Sequence, residues 1–262
     1  MELDSNSSRH AIFAVLVAFW GATSVAGASE TFGRSFVDHF DTLDEARWYK
    51  SDGWTNGPHQ RCWWSGDHAL VAGGRLTLTM EEGGLLDPDL CAEVQTRETY
   101  GYGVYEARMR GSSGSGLVSA FFTYTGPPLG VPRHDEIDFE LLGQNSREMQ
   151  LNFYSNGKGD HETYVDLGFD AGSTFATYAF DWQPDSITWY VNGRQVHQVK
   201  GRRQLPSHPG KIFFSLWAGT SEVNDWLGPF AFPARPPSVE IEWVAYTAPG
   251  EPCQFAGSVA CR

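Results

Sequence analysis

The sequence predicts an all-β fold, a sandwich of two antiparallel sheets of the jelly-roll kind. Three observations carry this expectation. Short strand-like runs recur through the chain while helical periodicity is nearly absent. Asn192-Gly193 joins two of these runs, and because both residues accept positive φ the pair is the strongest short hairpin signal. The 29 glycines and the 14% aromatic share suit many tight turns around a large β core.

Taken from the N-terminus, the first apolar run is Ala11 to Trp20, preceded by Arg9 and followed by Ala26-Gly27-Ala28, a small-x-small cleavage pattern. Residues 1–28 therefore read as a signal peptide, and 29–262 as one domain. That run is too short to span a bilayer comfortably. No later segment is long and apolar enough to do so, and an exported protein without a membrane span is expected. Export brings oxidising conditions, and four cysteines allow three pairings. Local pairing joins Cys62 to Cys91, each bordering a strand-like run, and Cys253 to Cys261, tying the C-terminal tail. The first bridge would add roughly 3–4 kcal/mol by closing its loop. No CxxC or Cys/His cluster suggests zinc.

The strands follow at 75–80, 103–109, 117–124, 134–143, 149–154, 177–182, 186–191, 194–199, 211–217 and 239–246. Leu76 and Leu78 alternate with threonines in the first of these. Within 117–124, Phe122 and Tyr124 share one face and Phe121 and Thr123 the other. The runs at 186–191 and 194–199 form the Asn192-Gly193 hairpin. No Pro/Ser-rich linker, repeat or shift in composition divides the chain. The formal charge of −13 argues against nucleic acid or an anionic membrane as partner and favours neutral or sugar-like ligands.

The run HDEIDFELLG at 134–143 is the most informative. Glu136, Asp138 and Glu140 alternate with Ile137, Phe139 and Leu141, so a strand places all three carboxyl groups on one face and the apolar side chains on the other. A merely solvated face would mix charges to limit repulsion across a ~7 Å repeat. Two carboxyl groups flanking a bond are what glycoside hydrolysis needs: one protonates the leaving oxygen, the other attacks the sugar carbon or activates water. Glu136 and Glu140 are the candidates, their Cα atoms ~13 Å apart on a flat strand but their flexible side chains able to converge on a curved one.

The HDEIDFELLG segment, Cys91-Ala92-Glu93 with Tyr100-Gly101-Tyr102-Gly103, SAFFTYTG at 119–126, YAFDWQP at 178–184, and Leu216-Trp217 with Asp225-Trp226-Leu227-Gly228 resemble glycoside hydrolase family 16, and within it the lichenase-like endo-1,3-1,4-β-glucanases. The tail EPCQFAGSVAC at 251–261 further resembles the ExoK-type branch, exported endo-glycanases that shorten succinoglycan, an acidic exopolysaccharide. The resemblance spans residues 35–248 and implies a concanavalin-like jelly roll with a concave substrate groove. It implies retaining hydrolysis in which Glu136 is the nucleophile, Asp138 the assisting acid and Glu140 the general acid/base. The substrate is then mixed-linkage β-glucan or an acidic exopolysaccharide, the enzyme is secreted and monomeric, and catalysis needs no cofactor.

By position, the resemblance implies sugar contacts from Asn56, Glu93, Gln95, Phe122, Tyr124, His134, Asn152, Tyr154, Trp217 and Trp226. Aromatic rings offer flat apolar faces to sugar C–H groups, while Asn and Glu meet hydroxyls. Trp54 and His161 are weaker candidates. Three positions depart from the lichenase pattern: Gln95 replaces Arg, His134 replaces Trp and Ser215 replaces Asn. Placed at sugar contacts, these changes imply altered subsites. The family's structural calcium, held by backbone carbonyls and an acid near the last strand, would fall near Glu242, and the sequence leaves its presence open. A transglycosylase of the same fold and a noncatalytic carbohydrate-binding module are the competing readings.

Overall fold

A computed structural model describes residues 32–127, 130–201 and 204–262. The expected signal peptide, 1–28, lies outside the described residues. Among the described residues sixteen strands are laid down in chain order. They are β1 (Phe36–Asp38), β2 (Trp48–Lys50), β3 (Cys62–Trp64), β4 (Ala69–Val71), β5 (Leu76–Thr79), β6 (Asp89–Thr96), β7 (Gly103–Arg110) and β8 (Leu117–Tyr124). The second half adds β9 (Glu136–Leu142), β10 (Glu148–Tyr154), β11 (Thr163–Asp166), β12 (Ala176–Gln183), β13 (Ser186–Val191), β14 (Arg194–Lys200), β15 (Lys211–Ala218) and β16 (Ser238–Thr247). A single turn of helix, α1 (Asn224–Leu227), stands between β15 and β16.

The strands form two eight-stranded sheets. One runs β14-β13-β12-β7-β16-β5-β4, with β1 also on β16; the other runs β11-β10-β9-β8-β15-β6-β2, with β3 also on β6. The β3–β6 pair is parallel and the rest are antiparallel. Period-2 alternation sends one row of each strand into a shared core. Phe121 of β8 joins the layers: its ring centroid lies 6.1 Å from Phe139 and 5.0 Å from Phe214 in its own sheet, and 5.7 Å from Phe180 in the other. Ile137, Phe139 and Leu141 are all buried in this core, as the alternation on the acidic strand requires.

The glycine that closes the acidic run is structural. A Cβ on Gly143 would sit 2.3 Å from the carbonyl oxygen of Gly114, so the chain can leave β9 and turn only if that residue has no side chain. The predicted hairpin is present, with φ of 48° at Asn192 and 72° at Gly193. Both expected disulfides, Cys62–Cys91 and Cys253–Cys261, are formed. The second ties a tail that docks on the outer side of the first sheet, where Phe255 meets the Trp243 ring edge-on at 4.6 Å and the Val259 amide donates to Glu106 at 3.0 Å.

Glu242, the acid near which the sequence left calcium open, is held by two arginines. It sits at a register shift between β16 and β7, where Arg108 Nε donates to its Oε2 at 2.6 Å and Arg75 Nη2 to its Oε1 at 3.3 Å. Arg110 is paired in the same way with Glu240, at 2.9 Å. A hard cation needs free carboxylate and carbonyl oxygens, and here guanidinium groups hold both oxygens of the acid. The residues present do not fit calcium at Glu242.

Candidate active site

The outer face of the second sheet is hollowed into a groove of about 960 Å³. Strand register lays out its floor in rows. β9 lies between β8 and β10, which sets Glu136 opposite Tyr124 and Tyr154, Asp138 opposite Phe122 and Asn152, and Glu140 opposite Ala120 and Gln150. β15 and β6 extend the rows, adding Phe213 beside Phe122 and then Ser215 and Glu93 beside Ala120. Glu136 and Asp138 therefore have polar or aromatic neighbours on both sides, while Glu140 has a small alanine on one side and the Gln150 amide on the other. Phe122 and Phe213 stack at 4.8 Å on the floor, and α1 brings Trp226 to the groove 6.0 Å from Trp217.

The three carboxyl groups sit in different surroundings. Burial, then the charges of Glu136 and Glu140, and a hydrogen bond shared with Glu136 hold the Asp138 carboxyl well above the usual range. Burial also raises Glu140, helped by the charges of Glu136 and Glu162, and pushes its carboxyl up to about 8. The Gln150 amide donates to Glu140 Oε2 at 2.9 Å, and the Trp226 indole donates to Gln150 Oε1 at 2.7 Å, which fixes the way the amide faces. Glu136 keeps 18% of its side chain exposed at the groove and receives the ring Nε2 of His134 at 2.7 Å on Oε2. The row thus sets two carboxyls, Asp138 and Glu140, that burial makes hold their protons more tightly than usual beside Glu136, which His134 holds at the groove surface. Across the floor, Glu93 accepts from the Ser51 hydroxyl at 2.6 Å; burial outweighs that bond and, with the Glu136 charge, raises it to about 7.

Of the expected contacts, Asn56, Glu93, Phe122, Tyr124, Asn152, Tyr154, Trp217 and Trp226 line the groove, and so does Trp54. Gln95 and His134 do not. Gln95 shares the face of Glu93, but its amide is taken by Lys211 Nζ at 2.9 Å and the Ser51 hydroxyl at 3.2 Å. His134 is fully buried, roofed by Tyr154 with ring centroids 4.6 Å apart. His161 packs on the Phe153 ring at 3.9 Å and donates to the Phe153 carbonyl. Of the three departures from the lichenase pattern, Ser215 alone is a groove position. Sequence reasoning missed His59, Gln150, Glu162, Tyr164 and Phe213. Gln150 and Phe213 follow from alternation with Asn152 and Ser215 on their strands, while Glu162 and Tyr164 come with the short edge strand β11.

A two-sheet sandwich whose groove carries a glutamic acid with its carboxyl raised by burial to about 8 and, two strand repeats away, a second glutamate at the groove surface is the architecture of a glycoside hydrolase. The model of glycosyl hydrolases family 16 matches residues 56–245, and the chain belongs to that family. It is 48% identical over 230 residues to the endo-1,3-1,4-beta-glycanase ExoK of Rhizobium meliloti (strain 1021), covering 87% of this chain and 84% of the relative. Identity to the beta-glucanase of Bacillus subtilis (strain 168) is 44% over 225 residues, with 85% and 90% covered. Among solved structures, Bacillus licheniformis beta-glucanase superposes with a TM-score of 0.78 at 41% identity, covering 83% of this chain and all of that one.

Proposed function

We propose that the protein is an endo-β-glycanase that cleaves internal β-glucosidic bonds of mixed-linkage 1,3-1,4-β-glucan, or of an exopolysaccharide of the succinoglycan type, by double displacement. The observation that carries the mechanism is the division of labour along β9: Glu140 is neutral at pH 7 and Glu136 is held by donors at the groove surface. In the first half, Glu136 Oε1 attacks the sugar carbon while Glu140 gives its proton to the departing glycosidic oxygen. In the second half, Glu140 takes a proton from water as that water attacks the same carbon, and the electron pair of the ester bond returns to Glu136. Asp138, neutral and hydrogen-bonded to Glu136, positions the nucleophile between these steps.

The relatives' printed activities support a 1,3-1,4-linked substrate. Export fits the two disulfides, which persist in oxidising compartments. No helix among the described residues is long and apolar enough to cross a membrane. The test is to incubate the protein separately with barley-type glucan, 1,3-glucan, xyloglucan and succinoglycan and to size the products. Internal cleavage of barley-type glucan or succinoglycan is expected. No product from any of the four would overturn the hydrolase reading in favour of a binding module, and larger products than the input would favour transglycosylation.

A further inference from the structure

We infer that His134 is a positioning residue for the nucleophile: a neutral imidazole, protonated on Nε2, that donates to the non-attacking oxygen of Glu136. This rests on the double-displacement reading above. The ring touches no groove space, since His134 is completely buried, and a sugar cannot reach it. Its Nε2 lies 2.7 Å from Glu136 Oε2. A carboxylate only accepts, so the proton of that bond sits on the ring.

The surroundings select the neutral tautomer. The Tyr154 ring lies against one face, tilted by 25°, and the Tyr124 ring meets His134 edge-on at 5.3 Å. Nδ1 is buried and finds no partner among the described residues. An imidazolium would place a second N–H there with nothing to receive it, a desolvated donor that burial penalises. The backbone holds the ring in place from both sides: the His134 amide donates to the Val131 carbonyl at 2.9 Å, and the Gly157 amide donates to the His134 carbonyl at 2.7 Å.

A donor on Oε2 fixes the rotamer of Glu136 and leaves Oε1 free to attack. It also stabilises the carboxylate that reforms when the ester bond to the sugar carbon breaks and the electron pair spreads over both oxygens. The effect therefore belongs to kcat. Asp138 supplies a second donor from the same strand, and His134 reaches Glu136 from the segment just before it, two residues upstream on the same face.

The test compares three variants on a polymer that the wild-type chain cleaves. His134→Leu is expected to lower kcat about 10–100-fold, the range for a hydrogen bond to a charged group, with KM changed less than about threefold. His134→Gln, whose amide nitrogen reaches the place of Nε2, is expected to recover to within about fivefold of wild type, and His134→Asn, one bond shorter, to stay with Leu. Should the Leu variant fail to fold, the Gln and Asn pair makes the same comparison. Equal rates for Gln and Asn, or a Leu variant at wild-type kcat, would overturn the assignment. A second readout needs no turnover: ¹⁵N shifts of the His134 ring should report a protonated Nε2 and a bare Nδ1, altered in Glu136→Ala. The opposite tautomer would sink the inference even in an active enzyme, and the expected tautomer in a chain that cleaves no polymer would place the failure with the proposed reaction instead.

Discussion

At the scale of single residues, the acid row behaves as three differently tuned groups. Glu140 is raised to about 8, first by burial and then by the charges of Glu136 and Glu162. As the proposed proton donor it must be neutral, so kcat/KM should fall as pH rises through about 8, and Glu140→Gln should remove that limb together with most activity on unactivated polymer. The same shift enters stability with a defined sign. A carboxyl that binds its proton more tightly folded than unfolded destabilises the fold as pH rises from about 4.5 to about 8, because the native state holds more protons than the unfolded one across that window. Glu140→Gln should therefore raise Tm by roughly 5 °C at pH 8 and by little at pH 4. An equal Tm difference at both pH values would show that Glu140 titrates normally.

At the scale of elements, strands long enough to show two or more alternations were legible. Those at 117–124 and 186–191 coincide with β8 and β13 residue for residue, and the Asn192-Gly193 turn has the backbone its residue types demand. Three-residue strands such as β1 to β4 carry too little pattern to be read, and they became strands because the sheets had edges for them to pair with. The same limit governs the site. Alternation on β8, β9, β10 and β15 correctly brings Phe122, Tyr124, the three acids, Asn152, Tyr154 and Trp217 to one face. Period alone does not tell which members of a face remain open, and so Gln95 and His134 share the groove parity yet are sealed by Lys211 and Ser51 in one case and by Tyr154 in the other. The register shift between β7 and β16 is another tertiary effect, and it gathers Arg75, Arg108, Glu240 and Glu242 on the outer side of the first sheet. We propose that these ion pairs occupy the place a structural calcium takes in lichenases. Tm should then be the same within about 1 °C in EDTA and in millimolar calcium, since a ligand bound only by the folded state would raise it by mass action; a clear rise with calcium would contradict this.

At the scale of the whole molecule, charge and groove chemistry point the same way. The chain carries a formal charge of −13, and the groove itself holds Glu93, Glu136, Asp138, Glu140 and Glu162. The acidic surface favours a neutral sugar backbone along the floor, and an acidic polymer would have to direct its charged substituents away from it. The aromatic floor and the Trp217 and Trp226 rings suit a flat β-linked chain bound along the rows. Under the proposed double displacement, Glu136 becomes covalently joined to the sugar. This is tested most directly by treating the protein with an activated 2-deoxy-2-fluoro glycoside of a short 1,3-1,4-linked oligosaccharide and mapping the adduct by peptide mass spectrometry. One added glycosyl group, on Glu136, released slowly with return of activity, is expected; an adduct on Glu140, or a fully active enzyme that turns the reagent over with inversion and acquires no adduct, would contradict the assignment.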